Sequence, residues 1–379
     1  MVTRYELPGL DDLVRLGEQR EQAITIYAQT SPIVSERQAS FLNAKSGFDA
    51  AVNRLRGAGL DHATESALRA RWSEVADDLE PWNRLSASLA IFLSPTESEV
   101  YVLPNRLENQ FQAADYYDLG QLVRAVTTPQ DAYALTLSAH GWNLWVATPT
   151  ARATELELEG DYPTDVADAT NRDSVGGRGY LNRLGGDEGR KTLLETYAKR
   201  VADAVRTELG RVDPHGERPL FVFATDPLMD LYRRAEDRRT IVPVHGAPDE
   251  LRPDQIDHTI RQSLSELNAQ RTARRLESIA DDVSSGLVLT DLGDIARAAA
   301  SGAVDTLVYD FTVDIFGTVD DVTGAITPAT DAVHGYDVLS RIVIRTLQAG
   351  GAATAVRSSE IEAPLWNGTA VAHLRYALV

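Results

Sequence analysis

At 379 residues and 43% hydrophobic content, the chain is long enough for two or three globular domains and is not a disordered polymer. A formal net charge of −19 excludes whole-surface, non-specific binding to nucleic acid but leaves room for one local basic site. The absence of cysteine excludes disulfides, thiolate metal sites and a cysteine nucleophile, and no run approaches the ~20 apolar residues of a membrane span.

Within residues 1–130, a helix is expected over Asp11–Arg20 and a strand over ITIYAQT at 24–30. Helical patterns follow around 35–57 and 62–84, the second closed by Pro81. SLAIFLS (88–94) and EVYVLP (99–104) are short apolar runs bounded by prolines and read as strands, with a third expected in ENQFQAADYY (108–117). These segments make an α/β unit.

Residues 131–253 begin the pattern again. AYALTLSA, NLWVATPT and RATELELE form an expected meander turning at His140-Gly141, and the alternation over Thr154–Glu159 is that of a half-buried strand. Between this meander and the next strand lies NRDSVGGRGYLNRLGGDEGRK, residues 171–191. It carries Gly176, Gly177, Gly179, Gly185, Gly186 and Gly189. Arg172, Arg178, Arg183, Arg190 and Lys191 are set against Asp173, Asp187 and Glu188, five positive charges against three negative. Glycine allows close backbone approach to another surface, and positive charge held apart from an acidic body suits phosphate. The same composition predicts a mobile loop. A helix follows, with Leu194, Tyr197, Val201 and Val205 on one face. Lysine occurs only at Lys45, Lys191 and Lys199, so two of the three flank the start of this helix.

PLFVFATD (219–226) is an uninterrupted apolar run, suited to a buried central strand. LMDLYRRAEDRR then reads as a helix and TIVPVHG as a strand. From Pro253 onward, Ile256, Ile260, Leu264, Leu267, Leu276, Ile279 and Val283 keep a helical period. A helix over Leu292–Ala300, a strand in VDTLVYDF (304–311) and a helix over Tyr336–Leu347 follow, with Gly350-Gly351 as a stop. ATAVRSS and VAHLRYAL close the pattern as strands. The expected class is therefore α/β, in three consecutive domains: 1–130, 131–253 with the Gly-rich insertion, and 254–379 as an α/β/α sandwich.

Self-contained catalytic signatures are weak. GGDEGRKT (185–192) approaches G-x-x-x-x-G-K-[ST], but Arg190 intrudes and no apolar strand leads into it. The seven histidines are scattered, without H-x-x-x-H or H-E-x-x-H spacing, so no metal and no cofactor are expected. Asp281-Asp282 and Asp320-Asp321 lie among turn residues and read as solvated. No G-x-S-x-G elbow occurs. Arg233, Arg234, Arg238 and Arg239 form a second basic cluster, offset by Glu236 and Asp237, and read either as a salt-bridged face or as a phosphate patch.

The ordered set of segments resembles the archaeo-eukaryotic peptide-chain release factor and Pelota superfamily, in its bacterial branch. The segments that carry it are ITIYAQT, SLAIFLSPTESEVYVLP, GAVDTLVYDF and the ending GGAATAVRSSEIEAPLWNGTAVAHLRY. The resemblance implies an N-terminal family-specific domain, a middle domain with a loop-then-helix insertion, and a C-terminal α/β/α domain. In the superfamily's release factors a GGQ tripeptide on that loop helps place water at the peptidyl-tRNA ester. Gly176-Gly177-Arg178 holds the similar place here, and TYAKRVADAV resembles the basic helix that follows. Arginine replaces the water-placing amide, so peptidyl-tRNA hydrolysis is not carried over; Pelota-like members also lack GGQ and occupy stalled ribosomes instead. The resemblance implies a cytoplasmic, ribosome-associated factor acting in rescue, hibernation or termination. Its partners would be rRNA, ribosomal proteins and a translational GTPase, with no membrane and no DNA. Arg172, Arg178, Arg183, Arg190, Lys191 and Lys199 are the expected RNA contacts. Two other classes fit the residues: an enzyme acting on RNA or a nucleotide through the same loop, and a protein-interaction module with an acidic surface.

Overall fold

The computed structural model describes residues 2–31, 33–148, 152–170, 186–330 and 335–378. The chain divides into two compact units, one made of Met1–Pro129 with Ser265–Val379 and one made of Gln130–Leu264.

The N-terminal part of the first unit carries a five-stranded sheet. Its strands are β1 (Val2–Arg4), β2 (Ala23–Gln29), β3 (Ser88–Leu93), β4 (Ser98–Leu103) and β5 (Gln110–Ala114), in the order β1-β4-β3-β2-β5. Its helices are α1 (Leu10–Leu16), α2 (Arg37–Gly57), α3 (His62–Asp77), α4 (Leu79–Asn83) and α5 (Gly120–Thr127). Strand alternation sends Ile24, Ile26, Ile91 and Val100 to the face covered by α2 and α3, where Phe48 and Trp72 stack at 4.8 Å. The expected helix over 62–84 is two helices. Asp78 is extended between them, and its carboxylate accepts from the Glu80 N–H at 3.0 Å to start α4, which holds Pro81 within its first turn.

The second unit has the sheet order β10-β9-β6-β7-β8. Its strands are β6 (Ala132–Ser138), β7 (Gly141–Ala147), β8 (Thr154–Glu155), β9 (Leu220–Ala224) and β10 (Ile241–His245). Its helices are α6 (Val166–Ala169), α7 (Gly186–Val212), α8 (Leu228–Ala235) and the first half of α9 (Pro253–Ala280). The strand β9, parallel to both β6 and β10, is buried at every residue, as its unbroken LFVFA run requires. Leu220 and Val222 face α7 and α8, while Phe221 and Phe223 face Ile256, Ile260 and Leu264 of α9. The sheet is thus covered on both faces. The third strand of the expected meander is shorter than its pattern: the ladder ends at Glu155, yet Leu156 and Leu158 still turn inward while Glu157 and Glu159 stay exposed.

The remaining strands of the first unit are β11 (Val288–Leu289), β12 (Val304–Asp310), β13 (Phe316–Val319), β14 (Ile326–Pro328), β15 (Tyr336–Asp337), β16 (Ala352–Val356) and β17 (Ala370–Leu374). They form a four-stranded sheet, β11-β17-β12-β16, and a small one, β14-β13-β15. Helices α10 (Leu292–Ala300) and α11 (Val338–Gln348) pack on the face bearing Leu307, Tyr309 and Ala372. Leu276 of α9 packs on the other face against Val308 and Val371, which gives the α/β/α layering. The expected helix from Tyr336 starts two residues later. Tyr336 and Asp337 pair with β13, and Asp337 then caps α11, accepting from Ser340 N–H at 2.7 Å. Gly350, at φ +74°, provides the left-handed turn that stops α11. The buried residues of this C-terminal part and those of α1, β2 to β4 and α5 form one continuous core.

Candidate nucleic-acid interface

The helix α7 is built in two halves. Leu194, Tyr197, Ala198, Val201, Ala202, Val205 and Leu209 make one buried face against the sheet and α8. The C-terminal half is tied to the body by polar contacts. Arg211 pairs with Glu159 at 3.0 Å, Glu208 accepts from the Tyr162 hydroxyl at 2.6 Å, and Arg206 donates to the Ala235 carbonyl at 3.0 Å. Among the described residues the N-terminal half has no such ties. Arg190 and Lys191 in its first turns, and Lys199 and Arg200 on the face away from the core, are exposed, and none of the four has an acidic partner among the described residues. Four unneutralised cations on one helix stand out in a chain of net charge −19. Guanidinium and ammonium groups left in water at this spacing suit a row of phosphates.

Of the expected contact residues, Arg190, Lys191 and Lys199 therefore share one helix. Gly176, Gly177, Arg172, Arg178 and Arg183, and the expected mobility of their loop, lie outside the described residues. Arg200 was not among the expected residues; its signal was its direct adjacency to Lys199 on a helix whose buried face was already set by the apolar period. Tyr197, wholly buried beneath these cations, has its hydroxyl pushed well above the ordinary tyrosine value by burial and by the charges of Asp165 and Asp249. It packs in the apolar cluster beneath α7.

The second basic cluster divides. Arg239 is turned inward, 2.6 Å from Asp213, both nearly buried. Glu236 is buried and accepts from the backbone N–H groups of Arg238 and Arg239 at 2.9 and 3.2 Å, which ends α8 at Ala235, short of the pattern. Arg233, Arg234 and Arg238 are exposed, without acidic partners among the described residues. The cluster is thus part salt bridge and part open cations.

Asp320 accepts from Val322 and Thr323 N–H in a tight turn, and Asp321 pairs with Arg341 at 3.1 Å and Arg345 at 2.5 Å. Among the described residues no three His, Asp or Glu side chains stand close enough to hold a metal ion, and no helix is long and apolar enough to cross a membrane.

Residues 129–270 match the model of bacterial archaeo-eukaryotic release factor family 11. No curated protein matches the chain. Among solved structures it is similar to Archaeoglobus fulgidus Pelota, at 10% identity and TM-score 0.35 over 98% of this chain and 94% of that one. It is similar also to Saccharomyces cerevisiae Dom34, described as a translation termination-like factor, at 10% identity and TM-score 0.32 over 77% and 74%. The third is the archaeal translation termination factor aRF1, at 13% identity and TM-score 0.25 over 99% of both chains.

Proposed function

We propose, for a chain whose residues 129–270 match the model of bacterial archaeo-eukaryotic release factor family 11, a ribosome-associated role in translation. The observation that carries this reading is the open cationic half of α7, inside the segment that matches the family model. Its four cations meet rRNA phosphates, and the buried face of the helix holds them on a rigid support. Arg172, Arg178 and Arg183 extend the same contact from the loop before it. The acidic remainder of the chain disfavours indiscriminate RNA binding and leaves this helix as the local point of attachment.

The role is rescue or hibernation, without hydrolysis of peptidyl-tRNA. A GGQ amide both donates to and accepts from a water, whereas the guanidinium of Arg178 is permanently protonated and has no acceptor lone pair. An arginine in that place grips phosphate or carbonyl oxygen and does not orient a nucleophile.

The test is sedimentation of the tagged chain through sucrose gradients with ribosomes that carry labelled peptidyl-tRNA. The expected result is comigration with ribosomes that is lost as salt rises, with the label still attached to tRNA. A chain that stays at the top of the gradient at low salt, or one that comigrates and releases the label, overturns the reading.

A further inference from the structure

The first unit contains a cavity of about 120 Å³ between the end of α5 and the second half of α9. Ser265, Asn268 and Thr272 lie on one face of α9 at helical spacing and form one wall. Arg124, Thr127 and Thr128 at the end of α5 form another, and Ala355, Val356 and Glu360 close it. The volume has room for several water-sized atoms, the size class of one tetrahedral oxyanion.

The chemistry of the walls is that of an anion site. Arg124 is 6% exposed and held rigidly, donating to the Ala355 carbonyl at 3.1 Å and to Glu360 at 3.2 Å. Glu360, the one acidic residue of the wall, is also paired with Arg357 at 3.0 Å, and Arg357 binds Glu108 at 2.9 Å. Arg124 and Arg357 both lie over the Phe311 ring, at 4.7 and 4.9 Å. Arg271 adds a guanidinium at the mouth, with no acidic partner among the described residues. Three guanidinium groups (Arg124, Arg271, Arg357) thus face two carboxylates (Glu108, Glu360), leaving one positive charge in excess. The carbonyl end of α5 offsets only about half a charge.

Thr128 is the second observation. It is 8% exposed and lines the cavity, yet its hydroxyl has no protein partner among the described residues. The Ser265 hydroxyl likewise has none. Thr128, nearly buried, and Ser265, half-buried, line the cavity together with the Arg271 guanidinium, an arrangement that a phosphate group completes by accepting from all three.

We propose that this cavity binds a phosphate group, as inorganic phosphate or as the terminal phosphate of a small phosphomonoester, with Arg271, Thr128 and Ser265 as the direct donors and Arg124 as the buried positive charge behind them. The site lies outside the segment α7 and does not depend on ribosome binding.

The test is isothermal titration of the full-length chain with inorganic phosphate, with adenosine monophosphate and with sodium chloride at matched ionic strength. Binding of phosphate but not chloride is expected, and the tighter of the two phosphate ligands identifies the source. Arg271→Ala should weaken binding roughly ten- to hundredfold, the loss of a charged hydrogen-bond donor. Thr128→Val should also weaken it, with circular dichroism of both variants unchanged. Arg274→Ala, which removes a neighbouring exposed cation that does not line the cavity, should leave the affinity as it was. If phosphate binds no better than chloride, or if Arg274→Ala costs as much as Arg271→Ala, the cavity is not a phosphate site.

Discussion

Asp118 and Asp337 are two carboxylates buried in the core of the first unit. Asp118 accepts from Gly120 N–H at 2.9 Å, and Asp337 accepts from Ile315 and Ser340 N–H at 3.1 and 2.7 Å. Between them the Ser340 hydroxyl accepts from Leu119 N–H at 2.8 Å, so the start of α5 is locked to the start of α11. Burial pushes Asp118 from 3.8 up to about 7, and the charge of Asp314 adds to it. Burial, then the charge of Asp118, holds Asp337 well above the carboxylate range. A folded-state value above the unfolded one means that the native chain binds more protons between about pH 4 and 7, so this site loses stability as pH rises through that window. Asp118→Asn keeps the acceptor for Gly120 and removes the charge. Each tenfold displacement of a proton equilibrium is about 1.4 kcal/mol, so the variant should gain about 1 kcal/mol or more over the wild type at pH 8. At about pH 3.5, below both values, the two should nearly coincide. Urea midpoints at both pH values measure this, and parallel pH dependence in the two proteins excludes a shifted Asp118.

At the scale of the element, α7 carries a buried apolar face and an open cationic one. Its buried face fixes it to the sheet, and Arg211 and Arg206 of its C-terminal half reach Glu159 and the Ala235 carbonyl. Lys199 and Arg200 lie on the opposite face, where alanine is tolerated by the helix and removes only charge. Each phosphate contact adds about 0.9 to the slope of log affinity against log salt on duplex and ~0.7 on single strands. The double change Lys199→Ala with Arg200→Ala should therefore flatten the salt dependence of ribosome binding by roughly one to two. An unchanged slope means that this face touches no phosphate. This helix was legible in the sequence because its apolar period is long and its cations fall off that period. The strand β9 was legible for a related reason, since a five-residue apolar run buried on both faces needs no alternation. Ends were less so. Asp78 reads as one more polar residue in a helical pattern, and only its capping bond to Glu80 shows that the helix breaks there. The exposed side of Arg233, Arg234 and Arg238 and the inward turn of Arg239 were equally hidden, because the acid that selects Arg239 is Asp213, 26 positions away.

The cavity beside α5 was invisible to sequence reading for the same reason at larger scale, since Arg124 meets Ala355 and Glu360 across more than 230 positions. So was the sharing of one core by the two ends of the chain. Tyr309 donates to the Gly120 carbonyl at 2.7 Å, Arg341 donates to the Gly17 carbonyl at 2.7 Å, and Arg357 pairs with Glu108. Leu13, Tyr27, Phe92 and Leu122 are buried together with Ile295, Leu307, Ile342 and Val343. Local periodicity carries no record of such pairings. Their consequence for folding is specific. Residues 129–270 hold a complete sheet with apolar clusters on both faces, so this fragment should fold alone and unfold cooperatively in urea. Residues 1–129 alone keep the cluster under α2 and α3 but expose the other face of their sheet, including Tyr27, Phe92 and Tyr101. That fragment should aggregate or lack a near-ultraviolet dichroism signal, because a large apolar face is left in water. Co-expression with residues 265–379 should restore a soluble, cooperatively unfolding complex. If residues 1–129 by themselves unfold with the same urea midpoint as the whole chain, the shared core contributes nothing to their stability, and the two ends are independent domains that merely touch.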